Sequence, residues 1–138
     1  MIKSFTRFIL VGGLLISAAC RKELNEPPLQ GKWQYQVTNE FTYDKSGAFL
    51  TQQPSWQSPH FIQIGPDVLD YVSVDDIVTL HLTYARESNT LHLRPLYPGS
   101  NDALITELTD HKLVFRFEKA YANPFTNAYT SLEHTYTR

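Results

Sequence analysis

The stretch LQGKWQYQV, residues 29–37, places a glycine two positions before a tryptophan and then alternates. Trp33, Tyr35 and Val37 fall on one side, and Lys32, Gln34 and Gln36 on the other. A period of two is that of a β-strand with one face in a core and one in water. The reading of Gly31 and Trp33 at the head of the first ordered segment decides the fold.

Period two continues through the chain. Phe41 and Tyr43 keep the parity of Trp33, and DKSG at 44–47 supplies a turn whose glycine suits a positive φ. PHFIQIG (59–65) and LDYVSV (69–74) are short apolar or alternating segments. IVTLHLTYA (77–85) and TLHLRPL (90–96) flank the turn RESN and form the clearest hairpin. ALITELT (103–109), LVFRFEKAY (113–121) and AYTSLEHTYTR (128–138) follow, separated by DHK and ANPFTN. Eight or nine short strands result, and no window after the first twenty residues has a helical period. Such a meander folds as a sandwich or closes on itself. Closure removes exposed edges, so the expected fold is all-β: an antiparallel up-and-down barrel of about eight strands.

Composition agrees with sheet. The chain has 138 residues, enough for one domain, with eight Tyr, eight Phe and two Trp. Its formal charge is −2, and no basic block lies beyond residue 22, so nucleic acid is not an expected partner. A single cysteine excludes an intramolecular disulfide, and the core must hold the fold alone.

The first residues read as an address. Lys3 and Arg7 precede the apolar run FILVGGLLISAA, residues 8–19. Twelve helical residues span about 18 Å, whereas a bilayer core needs roughly 20 residues. The run therefore fits the hydrophobic region of a signal peptide. SAAC, residues 17–20, resembles a bacterial lipobox, in which Cys20 becomes the first mature residue and carries lipid of the palmitate class. Ser17 departs from the leucine usual at that position. Cleavage without lipid, and an uncleaved anchor, are the alternatives. The expected division is a lipoprotein signal peptide at 1–19, helical where it is ordered, a lipidated tether at 20–29 (proline-bearing and charged) and a β-barrel domain at 30–138. Loss of Lys3 and Arg7 leaves 10 basic against 14 acidic residues, an acidic surface suited to solubility. The expected location is the bacterial cell envelope, lipid-anchored, at the outer membrane in preference to the inner, with the domain in the periplasm or at the cell surface.

LQGKWQY resembles the Gly-x-Trp start of lipocalin-like proteins. ALITELTDHKLVFRFE and the ending HTYTR are similar to the penultimate hairpin and last strand of small bacterial lipocalin-like lipoproteins. The resemblance spans most of residues 29–138 as spaced signals, and residues 46–60 match nothing in it. It implies that Gly31 lets the chain turn into the barrel floor, that Trp33 plugs the closed end, and that Arg138 or Tyr136 covers Trp33, completing barrel closure. A frayed, solvated Arg138 is the plain alternative.

Residues that carry chemistry are few. His81 and His92 sit on partner strands opposite the apolar residues, outside a closed barrel; His60, His111 and His134 are scattered, without the spacing of a zinc motif. Asp67, Asp70, Asp75 and Asp76 gather in DVLDYVSVDD, but the run lacks the glycine and terminal glutamate of an EF-hand loop. No metal and no cofactor is expected. Nucleophile-elbow, zincin and phosphate-loop motifs are absent from the sequence, so no catalysis is expected.

The lumen remains. Trp33, Tyr35, Val37, Leu80, Leu82, Leu93, Phe115 and Phe117 are the candidate ligand-lining residues, with Val78, Leu91 and Leu113 also pointing inward. They either fill the barrel or surround a small apolar or amphipathic guest. Trp56, in a proline-flanked loop, is read first as a strand-end anchor, with lid and partner contact as alternatives. Three functions are in play. A cavity with an open mouth favours a membrane-anchored binding protein for a small hydrophobic ligand. A filled core with exposed aromatics at 51–59 and 121–129 favours an envelope interaction module that binds another protein through its loops. Converging Asp, Glu or His side chains inside the lumen favour an enzyme.

Overall fold

A computed structural model describes residues 28–95 and 101–138. The expected signal helix, Cys20 and residues 21–27 of the tether lie outside the described residues. Nine strands follow in order: β1 (Gly31–Tyr43), β2 (Phe49–Ser55), β3 (His60–Ile64), β4 (Val68–Ser73), β5 (Val78–Glu87), β6 (Thr90–Arg94), β7 (Asp102–Leu108), β8 (Lys112–Ala122) and β9 (Tyr129–Thr137). Every neighbouring pair is antiparallel. The order β1-β3-β4-β5-β6-β7-β8-β9 returns to β1, which pairs with β9, so eight strands close a barrel.

The ninth strand exists because β1 is long. Thirteen residues reach about 43 Å at 3.3 Å each, more than the barrel wall needs. The lower part, Gly31–Gln34, pairs with β3, and the upper part, Thr38–Tyr43, pairs with β2 on the same edge. The opposite edge of β1 follows β9 from Gln34 to Tyr43. β2 thus rides on the overhang of β1, with mostly exposed side chains. At the tip, the Asp44 carboxylate accepts from the amides of Ser46 (2.8 Å) and Ala48 (2.9 Å), and Gly47 takes φ +87°.

A bulge in β1 corrects the sequence reading. Tyr35 faces Tyr136, but Val37 faces Thr135, leaving Gln36 as an extra residue. Parity reverses there. Thr38 turns inward, fully buried opposite His134. Val37 turns outward, and so do Phe41 and Tyr43: Phe41 lies under the Arg116 guanidinium at 5.0 Å, and Tyr43 accepts from Arg116 Nη2 at 2.8 Å. Strict alternation cannot foresee one added residue, because the residue next to it changes face.

Apolar side chains fill the lower half of the barrel. Trp33, Ile62, Leu91, Ala103 and Leu113 are fully buried there, with Ile64, Leu69 and Phe115 almost so. Each large side chain so buried contributes roughly 1.5–3 kcal/mol. The Trp33 indole N–H donates to the Leu29 carbonyl at 2.8 Å, so the one polar atom of the plug is satisfied. Gly31 takes φ +127°, and a Cβ there would come within 3.2 Å of Arg138 Nη1. Both facts call for glycine. Arg138 lies across the outside of the plug, its Cζ 4.0 Å from the Trp33 ring centre. Tyr136 instead packs inside the barrel against Tyr35 and Phe115.

Candidate functional site

The antiparallel order sends alternate connections to opposite ends. The chain entry at Pro28, the β7–β8 turn and Arg138 meet at the plugged floor, where Arg138 donates to the carbonyls of Asp110, Gln30 and Pro28. The β4–β5 and β8–β9 connections lie at the other end. A cavity of about 290 Å³ occupies that upper half. Leu80, Leu82, Leu93, Phe117 and Leu132 give it apolar walls, and Tyr71, Asn101, Tyr121 and His134 give it polar ones. Among the described residues no Lys, Arg, Asp or Glu side chain lines it.

The candidate residues therefore divide. Leu80, Leu82, Leu93 and Phe117 meet at the cavity. Trp33 and Phe115 belong to the packed floor beneath it, with Leu91 and Leu113. Val78 is 53% exposed at the rim. Val37 lines a separate outer cleft of about 360 Å³ with Tyr35, Pro54 and Trp56. Trp56 itself is 89% exposed, which overturns its reading as a strand-end anchor.

The polar groups of the lumen were not singled out by spacing. His134 is buried, its Nδ1 2.7 Å from Thr38 Oγ1, and its ring meets Phe117 edge-on at 5.3 Å. Thr38 Oγ1 also accepts from the Tyr35 hydroxyl at 3.0 Å. Thr38 Oγ1 thus joins the Tyr35 hydroxyl and His134 Nδ1 in one buried chain of hydrogen bonds. Burial first, and the nearby His60 second, lower the His134 pKa from 6.5 to about 4, and the ring is neutral at pH 7.

His60 enters the same interior from β3. Its ring stacks on Tyr35 at 4.5 Å and touches Tyr71 and Tyr136 at 5.7 and 6.0 Å. His60 Nδ1 lies 2.9 Å from the Ser58 carbonyl oxygen. A carbonyl only accepts, so Nδ1 holds the hydrogen and Nε2 of the neutral ring is an acceptor. Among the described residues, the buried Nε2 and the hydroxyl of the fully buried Tyr136 have no short hydrogen-bond partner, and the Tyr136 hydroxyl is turned to that of Tyr71. Burial raises the pKa of Tyr136, and the neighbouring Tyr71 raises it further. Burial likewise raises that of Tyr71. Both phenols are therefore neutral.

Parity carried a signal for these groups. His134 alternates with Leu132 and Tyr136, and His60 with Ile62 and Ile64. Their convergence needs the closed ring, since they stand 74 residues apart in sequence.

The outer histidines behave as surface groups. His81 Nδ1 contacts Asp70 Oδ1 at 2.5 Å, and His92 contacts Asp102 at 2.9 Å. Asp70 is thus engaged in mid-strand, while Asp75 and Asp76 sit in the β4–β5 turn and Asp67 at the opposite end of β4, so the four do not converge. Among the described residues no group of three or more His, Cys, Asp or Glu side chains is arranged to hold a metal ion. Comparison with protein-family models, curated proteins and solved structures finds no match to this chain.

Proposed function

We propose that the chain is a membrane-anchored, lipocalin-like binding protein of the bacterial envelope that carries one small apolar or amphipathic molecule and performs no catalytic step. The observation that carries this reading is the dead-end cavity of about 290 Å³, walled by leucines and Phe117 above a solid floor. Such a volume lies at the small end of ligand sites. The two lumen histidines bear on the enzyme alternative. Neither is paired with a carboxylate in the lumen, and His134 is held neutral, so they serve better as hydrogen-bonding groups.

Lipid on Cys20 belongs to the same reading. Residues 21–27 span at most about 25 Å, and Pro28 is held at the plugged floor by Arg138. A lipid at Cys20 would keep the floor near the membrane and the mouth away from it.

A second reading has its own observation. Trp56 is 89% exposed, Phe125 93% and Tyr121 63%, all on the loops or strand ends of the open end. These aromatics suit an interaction module whose loops bind an envelope protein.

The deciding experiment titrates the full chain bearing Cys20→Ser with the neutral fluorophore N-phenyl-1-naphthylamine. Saturable binding that Leu93→Trp abolishes and Trp56→Ser leaves intact supports the carrier. Absence of saturable binding removes it and favours the interaction module.

A further inference from the structure

We propose that His134 is the specificity-determining group of the upper cavity, where it receives the hydroxyl of an uncharged alkyl alcohol whose chain lies along the leucine walls. The inference rests on the carrier reading and adds the chemical class of the ligand.

His134 lines the cavity directly, from β9. Its ring is held in place on two sides. Nδ1 lies 2.7 Å from Thr38 Oγ1, which also takes the Tyr35 hydroxyl at 3.0 Å. Phe117 meets the ring edge-on at 5.3 Å. The Nδ1 edge is therefore engaged with β1, and Nε2 is the nitrogen left for a guest. Among the described residues Nε2 has no hydrogen-bond partner. The side chain keeps 7% of its surface open, and that surface borders the cavity. A polar atom so enclosed is normally paired. A guest in the cavity supplies the partner that the barrel does not.

Charge narrows the class of guest. The polar walls are Tyr71, Asn101, Tyr121 and His134, and no Lys, Arg, Asp or Glu is among the described lining residues. Burial keeps His134 neutral at pH 7. A carboxylate here would be a buried anion without a counter-charge, and an ammonium a buried cation. A hydroxyl carries no charge. It both donates and accepts, so it serves Nε2 whichever ring nitrogen holds the hydrogen.

The rest of the cavity suits an alkyl chain. Leucines from β5, β6 and β9 and the Phe117 ring form its apolar surface. A volume of about 290 Å³ has room for roughly ten non-hydrogen atoms at about 30 Å³ each. An alcohol of about eight carbons fits within it.

The test uses the full chain bearing Cys20→Ser and displacement of N-phenyl-1-naphthylamine at pH 8 by 1-octanol, 1-chlorooctane and octanoate. Chlorooctane keeps the chain and a terminal atom but makes no comparable hydrogen bond. His134→Leu should weaken octanol at least tenfold and chlorooctane no more than about twofold, because only the alcohol loses a partner. Octanoate should displace at least tenfold less well than octanol before that substitution. A second measurement leaves His134 in place: in the ¹⁵N-histidine-labelled chain, octanol should shift one histidine Nε2 resonance that chlorooctane leaves unmoved. If His134→Leu does not fold, that spectrum decides. Equal losses for octanol and chlorooctane, no Nε2 resonance that tells them apart, or octanoate binding as tightly as octanol overturns the assignment and leaves the carrier intact. Failure of the fluorophore to bind at all removes the carrier reading and the assignment together.

Discussion

The guanidinium of Arg138, the last residue of the chain, lies 4.0 Å over the ring of Trp33, near the start of the barrel. Its three donors close on the carbonyls of Asp110, Gln30 and Pro28 at 2.8–3.0 Å. The first and last strands of the barrel are thereby fastened across the floor. An exposed cation–π contact contributes about 0.5–1 kcal/mol, and charge-assisted hydrogen bonds add to it. Arg138→Ala is expected to cost about 1–2 kcal/mol, which lowers the melting temperature by about 4–8 °C for a domain of this size. Arg138→Lys should rescue little, because an ammonium cannot span three carbonyls in one plane. Thermal unfolding followed by circular dichroism checks both.

Gly31 is coupled to that clasp. Its φ of +127° is strained for any residue with a Cβ, and the added atom would meet Arg138 Nη1 at 3.2 Å. Gly31→Ala should therefore destabilise by about 1–3 kcal/mol. In an Arg138→Ala background the penalty should shrink to the backbone part alone. A double-mutant cycle by urea unfolding measures the difference. Strict additivity would show that the two residues do not act together.

His134 sets an acid limit on stability. Its folded pKa of about 4 lies below the ordinary 6.5, chiefly through burial. The unfolded chain therefore binds a proton between those values that the folded barrel refuses. The contribution is fully present above pH 6.5 and is lost as pH falls to 4, by about 3 kcal/mol in total. His92 runs the other way. Its pKa is raised, first by the hydrogen bond to Asp102, so what it adds is present at low pH and lost as pH rises through its folded value. The effect is small, because the pair lies at the surface, open to solvent screening. His134→Gln should flatten the slope of unfolding free energy between pH 4 and 6.5, read from urea titrations at each pH. An unchanged slope would place the acid sensitivity elsewhere.

The anchor has a direct test. Under the proposed function, Cys20→Ser should abolish incorporation of labelled palmitate and move the protein from the membrane to the soluble fraction. Retention in the membrane fraction with no label would point to an uncleaved hydrophobic anchor instead.

Much of this protein is written in its local pattern. Alternation at β1, β5, β6, β8 and β9 announced strands, Asp-Lys-Ser-Gly announced a turn, and the count of short segments announced a closed sheet. Inward parity of Leu80, Leu82, Leu93 and Phe117 followed from period two, because a strand cannot turn a side chain without an extra residue. That extra residue, Gln36, is where local reasoning stopped: it sent Val37 out and Thr38 in, and nothing in QYQVT marks it. Trp56 was misread for a related reason, since its loop leaves the barrel only because β2 is displaced onto the overhang of β1. The division of the lumen into a solid floor and a hollow upper half depends on how side chains from eight strands share one volume. The meeting of His60, Tyr71, His134 and Tyr136 depends on ring closure, which sets residues from β3, β4 and β9 around one point. Where period two ran unbroken, sequence determined which way a side chain leaned; only the tertiary structure decided where that period broke and what each side chain leaned against.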